Sequence, residues 1–174
     1  MTMSDEEKII ERFFDAQNRK SVLAACLREL RNTPDENVIS RCFCVFSALD
    51  LLAQMHTGKS GYKRSAKKTV LFYRRYMQLN ELSAELLYQV RNAVTHSFGT
   101  HSQNSATKRQ YRFIYDLTGE KLFEQKSTVV YRVNRAQLEH RFFEAIQSYK
   151  RELLNSTPAR KRFFTVYRRI GETL

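Results

Sequence analysis

An apolar segment between residues 38 and 55 constrains the fold of this chain more than any other feature. Its apolar side chains recur at helical spacing and cover a broad face, which predicts a central helix from about Pro34 to Thr57. Thr33 can cap this helix, and Pro34 suits its first position. Asp50 is the one acidic residue in the segment. It fits either a carboxylate that orients a functional arginine or histidine, or an exposed residue at the polar edge of the helix.

Most of the remaining chain also shows helical periodicity. Residues 4–31 predict one long helix, or two shorter ones with a break at Asn18, and residues 63–78 predict another. Alternating aromatic and β-branched residues predict a small antiparallel β insert of two or three strands at 111–133. We therefore expect a mainly α fold in one domain of 174 residues. It comprises a helical body at 4–99, the β insert, and C-terminal helices at 135–173.

The charge of the chain is concentrated in its later part. The net charge is +12, and residues 61–174 hold 22 basic against 9 acidic side chains, whereas residues 1–60 hold 8 against 9. Such a surface fits a polyanionic partner such as nucleic acid, and it also fits a generic solvated face. No apolar run approaches the about 20 residues of a membrane span, and the acidic N-terminus has no signal-peptide pattern. We expect a cytoplasmic protein without membrane contact.

Two patterns that could indicate a metal or a nucleotide do not meet the requirements of such sites. Cys42 and Cys44 lack a second Cys or His pair at zinc-binding spacing, so we expect them, with Cys26, to be small buried residues. The loop at Gly58 reads Gly-Lys-Ser, but it follows a helix and lacks the glycine that a phosphate-binding loop has five positions earlier. We expect neither a metal nor a cofactor.

The stretch from Leu87 to Gly99 carries the strongest functional signal. It predicts the last turns of an amphipathic helix, and it contains Arg91 and His96. Arginine fits phosphate, and histidine can give or take a proton near neutral pH, so the pair could cleave a phosphodiester without a metal. On an ideal helix the two side chains lie roughly 140° and about 7.5 Å apart. They share a site if the helix distorts or ends near His96, or if two copies meet. His101, in the polar loop that follows, is a second candidate for proton transfer.

Arg91, Asn92 and His96 together resemble the R-N-x-x-x-H form of the motif of the HEPN superfamily. The resemblance implies an up-and-down helical bundle that forms a homodimer, with motif helices facing each other around a composite active site. It also implies a metal-independent endoribonuclease of toxin–antitoxin or anti-phage systems, with an antitoxin or defence-system partner. Arg91 would hold the scissile phosphate, His96 would transfer protons, and Asn92 would support one of them. Some HEPN toxins carry a modifiable tyrosine at the position of Phe98, so that form of neutralisation is not expected.

Basic side chains around the predicted helix at 63–78 are candidates for binding RNA. They alternate with aromatic residues, which could grip a backbone and stack a base, although a core helix with a solvated face has the same pattern. The candidates are Lys59, Lys63, Arg64, Lys67, Lys68, Arg74 and Arg75.

Two other functions remain open alongside the ribonuclease. One is a non-catalytic HEPN-like module that binds RNA or a nucleotide. The other is a structural or antitoxin-like protein whose basic face binds an acidic protein. An open cleft that contains both Arg91 and His96 would favour catalysis, whereas a buried His96 bonded to a backbone carbonyl would favour a structural role.

Overall fold

Helices dominate residues 3–58 and 65–170, which are the residues that the computed structural model describes. Seven helices lie there: α1 (Asp5–Phe14), α2 (Val22–Asn32), α3 (Val38–Thr57), α4 (Ser65–Tyr76), α5 (Glu81–His96), α6 (Arg135–Asn155) and α7 (Thr157–Ile170). Four strands lie between α5 and α6: β1 (His101–Gln103), β2 (Gln110–Asp116), β3 (Phe123–Gln125) and β4 (Val130–Asn134). The expected mainly α fold with a small β insert is confirmed at this level.

Helix α3 occupies the centre of the fold, as its broad apolar face predicts. It packs against α2, α4, α5, α6 and α7. With a mean hydropathy of 1.5, it is the one described helix long and apolar enough to cross a membrane, contrary to the expectation that no run would reach that length. Half of that stretch is buried inside the protein, which is typical of the core helix of a soluble domain.

The predicted helix at 4–31 is divided into α1 and α2, and side chains near Asn18 explain the break. The Asn18 side chain donates to the Arg12 carbonyl (2.8 Å), which satisfies an acceptor at the end of α1. Ser21 then caps α2: its Oγ accepts from Ala24 N (3.2 Å) and donates to the Phe13 carbonyl (2.6 Å). These local bonds compete with a continuous helix.

The predicted start of α3 is wrong by four residues. Thr33 does not cap α3; its hydroxyl donates backwards to the Glu29 carbonyl (2.7 Å) and closes the C-terminus of α2. Pro34 begins a turn in which Asn37 N donates to the Pro34 carbonyl (3.1 Å), and α3 begins at Val38.

Helix α5 has a defined beginning and end. Asn80 caps it by accepting from Ser83 N (2.8 Å). At the other end Gly99, with φ +81°, donates from its N–H to the Ala93 carbonyl (2.9 Å), and its own carbonyl accepts from the Tyr115 hydroxyl (2.9 Å). Because left-handed backbone favours glycine, Gly99 fixes the point at which the chain leaves α5 and enters the sheet.

The β insert is larger than predicted and is not purely antiparallel. The strand order is β1-β2-β4-β3: β2 pairs with β4 in parallel, and the two edge strands pair antiparallel to them. Strand β1 lies in the segment expected to be a polar loop. Its short, polar sequence His-Ser-Gln has no apolar alternation, so its pairing depends on the neighbouring strand rather than on a local signal.

A polar network connects α3, α4, α6 and α7 inside the helical body. The Tyr76 hydroxyl donates to Glu152 (2.8 Å) and lies 3.0 Å from Nδ1 of His56. Because the single hydroxyl proton goes to the carboxylate, Nδ1 of His56 must carry a proton and donate it to Tyr76. Arg75 donates to the same Glu152 oxygen, and Arg162 donates from Nε to the His56 carbonyl (2.7 Å). Burial lowers the pKa of His56 to about 4.

Gly99→Ala is expected to lower the free energy of unfolding by about 2 kcal/mol, since alanine strains at this φ and its methyl would collide with Cδ1 of Ile39. In an Ile39→Val background, which lacks that atom, part of the cost should disappear in urea unfolding. Gly119→Ala is the control for backbone strain alone: φ there is +105°, and the nearest atom would lie at 3.6 Å. If Gly99→Ala lowers the free energy of unfolding equally in the wild-type and Ile39→Val backgrounds, a collision with Ile39 is not its cause.

The buried His56 should make stability fall as the solution becomes acidic. Its pKa is about 4 in the folded protein, against an ordinary value near 6.5 when unfolded, so the unfolded chain takes up more protons between these values. Up to about 3 kcal/mol should be lost as the pH falls from about 6.5 to 4. Urea unfolding across this range should show a shallower loss for His56→Asn, which keeps a donor near Nδ1 but cannot titrate. If the free energy of unfolding falls equally with pH in the wild type and in His56→Asn, protonation of His56 is not the cause of the loss.

Candidate functional site

Arg91 of α5 is held against α3 by a partly buried ion pair. Its Nε and Nη2 donate to Oδ2 of Asp50 at 2.9 and 2.6 Å, and its Nη1 donates to Oδ1 of Asn92 at 3.2 Å. The two paired side chains are 21% and 23% exposed. Asp50 therefore contacts the motif arginine, and Asn92 contacts the arginine rather than the histidine. The guanidinium is fixed at the surface instead of moving freely in solvent.

The guanidinium of Arg91 keeps hydrogen-bonding capacity beyond this pair. Of its five N–H groups, three donate to side chains in the described part of the chain, and two form no hydrogen bond there. Burial raises the pKa of the Asp50 carboxyl above its ordinary value, while hydrogen bonds from Arg91 and Thr69 act in the opposite direction. Burial also raises the pKa of the nearby Tyr73 hydroxyl, which stays neutral. The cluster can thus present an oriented cation to an anion such as phosphate.

His96 is the last residue of α5, and its side chain is exposed. Among the described residues it is bonded to no backbone carbonyl, so the arrangement that would indicate a structural histidine is not found. Helix α5 continues unbroken to this point, with Ser97 N donating to the Ala93 carbonyl at 2.8 Å. Because the helix is not distorted, ideal spacing still places Arg91 and His96 roughly 140° apart around its axis.

Phe98 follows the candidate histidine in an unusual conformation. Its φ is +50°, which side chains other than glycine rarely adopt, and the residue is 87% exposed. Burying this ring against a partner surface would be favourable. Phe98 therefore offers an apolar surface next to His96.

A groove of 690 Å³ lies between α4, α5 and the turn after β1. Asn92 of the motif lines it, whereas Arg91 and His96 are not among its lining residues. Apolar side chains, amides and charges of both signs share its walls: Ala66, Lys67, Val70, Leu71, Arg74, Glu81, Glu85, Tyr88, Gln89, Asn92, Gln103, Asn104, Ser105 and Ala106.

The basic residues proposed to bind RNA are distributed over several places. Lys67 and Arg74 line the groove, and Arg74 lies 3.8 Å from Glu81. Lys68 is half-buried on α4. Arg75 instead points to Glu152, to which it donates at 2.8 Å, and so belongs to the network of His56. The three remaining candidates, Lys59, Lys63 and Arg64, lie outside the described residues.

Other residues considered from the sequence have ordinary surroundings. His101 is exposed on β1, with Nδ1 3.0 Å from the Thr100 hydroxyl. Cys42 is buried, which raises the pKa of its thiol to about 12, and Cys26 and Cys44 are half-buried free thiols. None of the three cysteines has the low pKa of a reactive thiolate.

Sequence reasoning missed the groove and the network around His56. Glu85 and Gln89 are four residues apart on α5, so the sequence indicates a polar face of that helix. It does not show that α4 forms the other side of a groove. His56 lies in the last turn of the largely apolar α3. This position indicates a buried polar residue, but the sequence does not show its partners, which are distant along the chain.

Comparison with protein-family models, with curated proteins and with solved structures finds no match for this chain. The likeness to HEPN proteins thus depends on the Arg91, Asn92 and His96 motif and on its place at the end of a helix.

Asp50→Asn should lower the free energy of unfolding by about 2 kcal/mol, because it leaves the Arg91 guanidinium without its anionic partner. Asp35→Asn is the matched control. Asp35 lies 3.3 Å from Arg41 but is 73% exposed, so its removal should change stability by less than about 0.5 kcal/mol. Equal unfolding midpoints for the two variants would show that the ion pair between Asp50 and Arg91 does not stabilise the folded protein.

Proposed function

We propose that this protein is a metal-independent endoribonuclease of the toxin or anti-phage defence type. It acts in the cytoplasm as a homodimer with a HEPN-like helical bundle, under the control of an antitoxin or defence-system partner. One observation carries the proposal: Arg91 is held by Asp50 with two donors left open, on the helix that ends at the exposed His96. An oriented cation and an accessible proton carrier are the groups that phosphodiester cleavage requires.

The reaction uses the ribose 2′-hydroxyl as the nucleophile. The imidazole of His96 accepts the 2′-proton as the oxygen attacks phosphorus, the bond to the 5′-oxygen breaks, and the imidazolium returns the proton to that leaving oxygen through a water molecule. The products are a 2′,3′-cyclic phosphate and a 5′-hydroxyl. The open N–H groups of Arg91 bind the phosphate and stabilise its developing charge, while Asn92 and Asp50 hold the guanidinium in place.

Two features support a composite site built from two copies. The ideal helical spacing separates Arg91 from His96 within one chain, so Arg91 of one protomer and His96 of its partner would complete each pocket. The exposed ring of Phe98, next to His96, supplies an apolar surface for that partner. The basic surface of residues 61–174 would attract the RNA backbone.

A second candidate is a non-catalytic module that binds RNA or a nucleotide. It is favoured by the groove, which Asn92, Lys67 and Arg74 line without Arg91 or His96. A protein of this kind would bind single-stranded RNA in a salt-dependent manner and leave it intact.

Incubation with a mixed single-stranded RNA in EDTA should give fragments ending in a 2′,3′-cyclic phosphate, while the DNA of the same sequence stays intact. His96→Ala and Arg91→Ala should each reduce cleavage by about a hundredfold or more. His101→Ala, which removes an exposed histidine five residues away, and Arg132→Ala, which removes a partly exposed arginine of β4, are the matched controls and should cleave normally. Intact RNA, or cleavage that survives both motif substitutions, would move the assignment to the binding module.

Mixing the two inactive variants tests the composite site in the same assay. If each pocket takes Arg91 from one protomer and His96 from the other, a mixed dimer keeps one pocket with both residues. Cleavage should then return after the variants are unfolded and refolded together. A mixture that stays inactive would place both residues of a pocket in the same protomer.

A further inference from the structure

The groove beside Asn92 has the chemistry of a site for one nucleotide base. Its volume of 690 Å³ is within the usual range for small-molecule sites. Helix α4 contributes the apolar side chains of Val70 and Leu71 to the lining, and α5 contributes the ring of Tyr88. A flat aromatic ligand would bury both of its faces between these side chains, as bases do in sites for single-stranded nucleic acid.

A buried amide in this groove has donors without partners. Gln89 is 5% exposed, and its Oε1 accepts from the Ser102 hydroxyl at 3.1 Å. This bond fixes the orientation of the amide, so Nε2 is the group left for a ligand, and it donates to no residue in the described ranges. The Nε2 group therefore keeps donors that a ligand acceptor in the groove can use.

A carboxylate lies on the same face of the helix. Glu85 precedes Gln89 by four residues, which places the two side chains one helical turn apart along the groove. Glu85 is exposed and forms no ion pair among the described residues. This face of α5 thus presents the two carboxylate oxygens of Glu85 as acceptors and, one turn further on, Nε2 of Gln89 as a donor.

We propose that this groove is a guanine-binding subsite for single-stranded RNA. Guanine is the base whose edge offers two adjacent donors, N1–H and N2–H, followed by the acceptor O6, which matches Glu85 and Gln89 in order. The base lies between Tyr88 and Leu71. This inference rests on the proposed function, because it makes the guanosine the nucleotide next to the phosphate held at Arg91.

The surroundings of the groove favour RNA as its occupant. Lys67 and Arg74 line its rim and can contact the phosphates that flank the base. Asn92 lines the groove while it accepts from Arg91, so the base site and the phosphate site share a residue. Adenine lacks both of these donors and the carbonyl of guanine, because its N1 is an acceptor and it has no 2-amino group, whereas inosine lacks only the N2 amino group.

Binding is measured with His96→Ala protein, which keeps the groove intact, and three fluorescent pentamers: uridines with a central guanosine, inosine or adenosine. All three carry the same number of phosphates. The guanosine pentamer should bind about tenfold tighter than the adenosine pentamer, with the inosine pentamer between them, because one charged hydrogen-bonded pair is at stake. When Glu85→Gln is added to the His96→Ala protein, the guanosine and adenosine pentamers should bind with affinities that differ by less than about twofold.

Glu81→Gln is the matched control, since it removes the same charge from the same face one turn earlier. It should raise both affinities and leave their ratio unchanged. Equal binding of the guanosine and adenosine pentamers, or a ratio that survives Glu85→Gln, overturns the subsite. If the parental protein cleaves RNA but the guanosine and adenosine pentamers bind equally, the subsite is rejected and the ribonuclease is kept. If the guanosine pentamer binds more tightly but the parental protein cleaves no RNA, the subsite is kept and the ribonuclease is rejected.

Discussion

The burial of α3 is the constraint on which the rest of the structure depends. Its apolar side chains can be removed from water only if several helices surround it, and α2, α4, α5, α6 and α7 do so. The polar residues of α3 must then find partners within this shell. Asp50 reaches Arg91 of α5, and His56 reaches Tyr76 of α4. The candidate site and the buried network are thus two solutions to one requirement, that buried polar groups be hydrogen-bonded.

Features fixed by short-range bonding were predictable from the sequence. Asn80 caps α5 and Asn134 caps α6, because each accepts from the backbone N–H three residues ahead. Thr33 looked like a cap for α3, but its hydroxyl bonds to Glu29 behind it. A threonine before a proline is compatible with both uses, and the sequence pattern cannot distinguish them.

Features that depend on distant partners could not be read in this way. Asp50 and Arg91 are 41 residues apart, so the sequence indicated a motif arginine and an isolated acid without showing that they meet. Strand β1 is short and polar, and the parallel pairing of β2 with β4 follows from the sheet as a whole. The groove is a similar case, because its two walls come from different helices.

The position of α7 has a consequence for synthesis on the ribosome. Arg162 of α7 bonds to the carbonyl of His56 at the end of α3, and Phe163 packs edge-on against Phe13 of α1, with ring centres 5.3 Å apart. The first helix and the central helix are therefore covered by the last helix described, so part of their apolar faces stays uncovered until residues 157–170 have left the ribosome. During that interval the nascent chain would depend on chaperones, and a truncated product would be prone to aggregate.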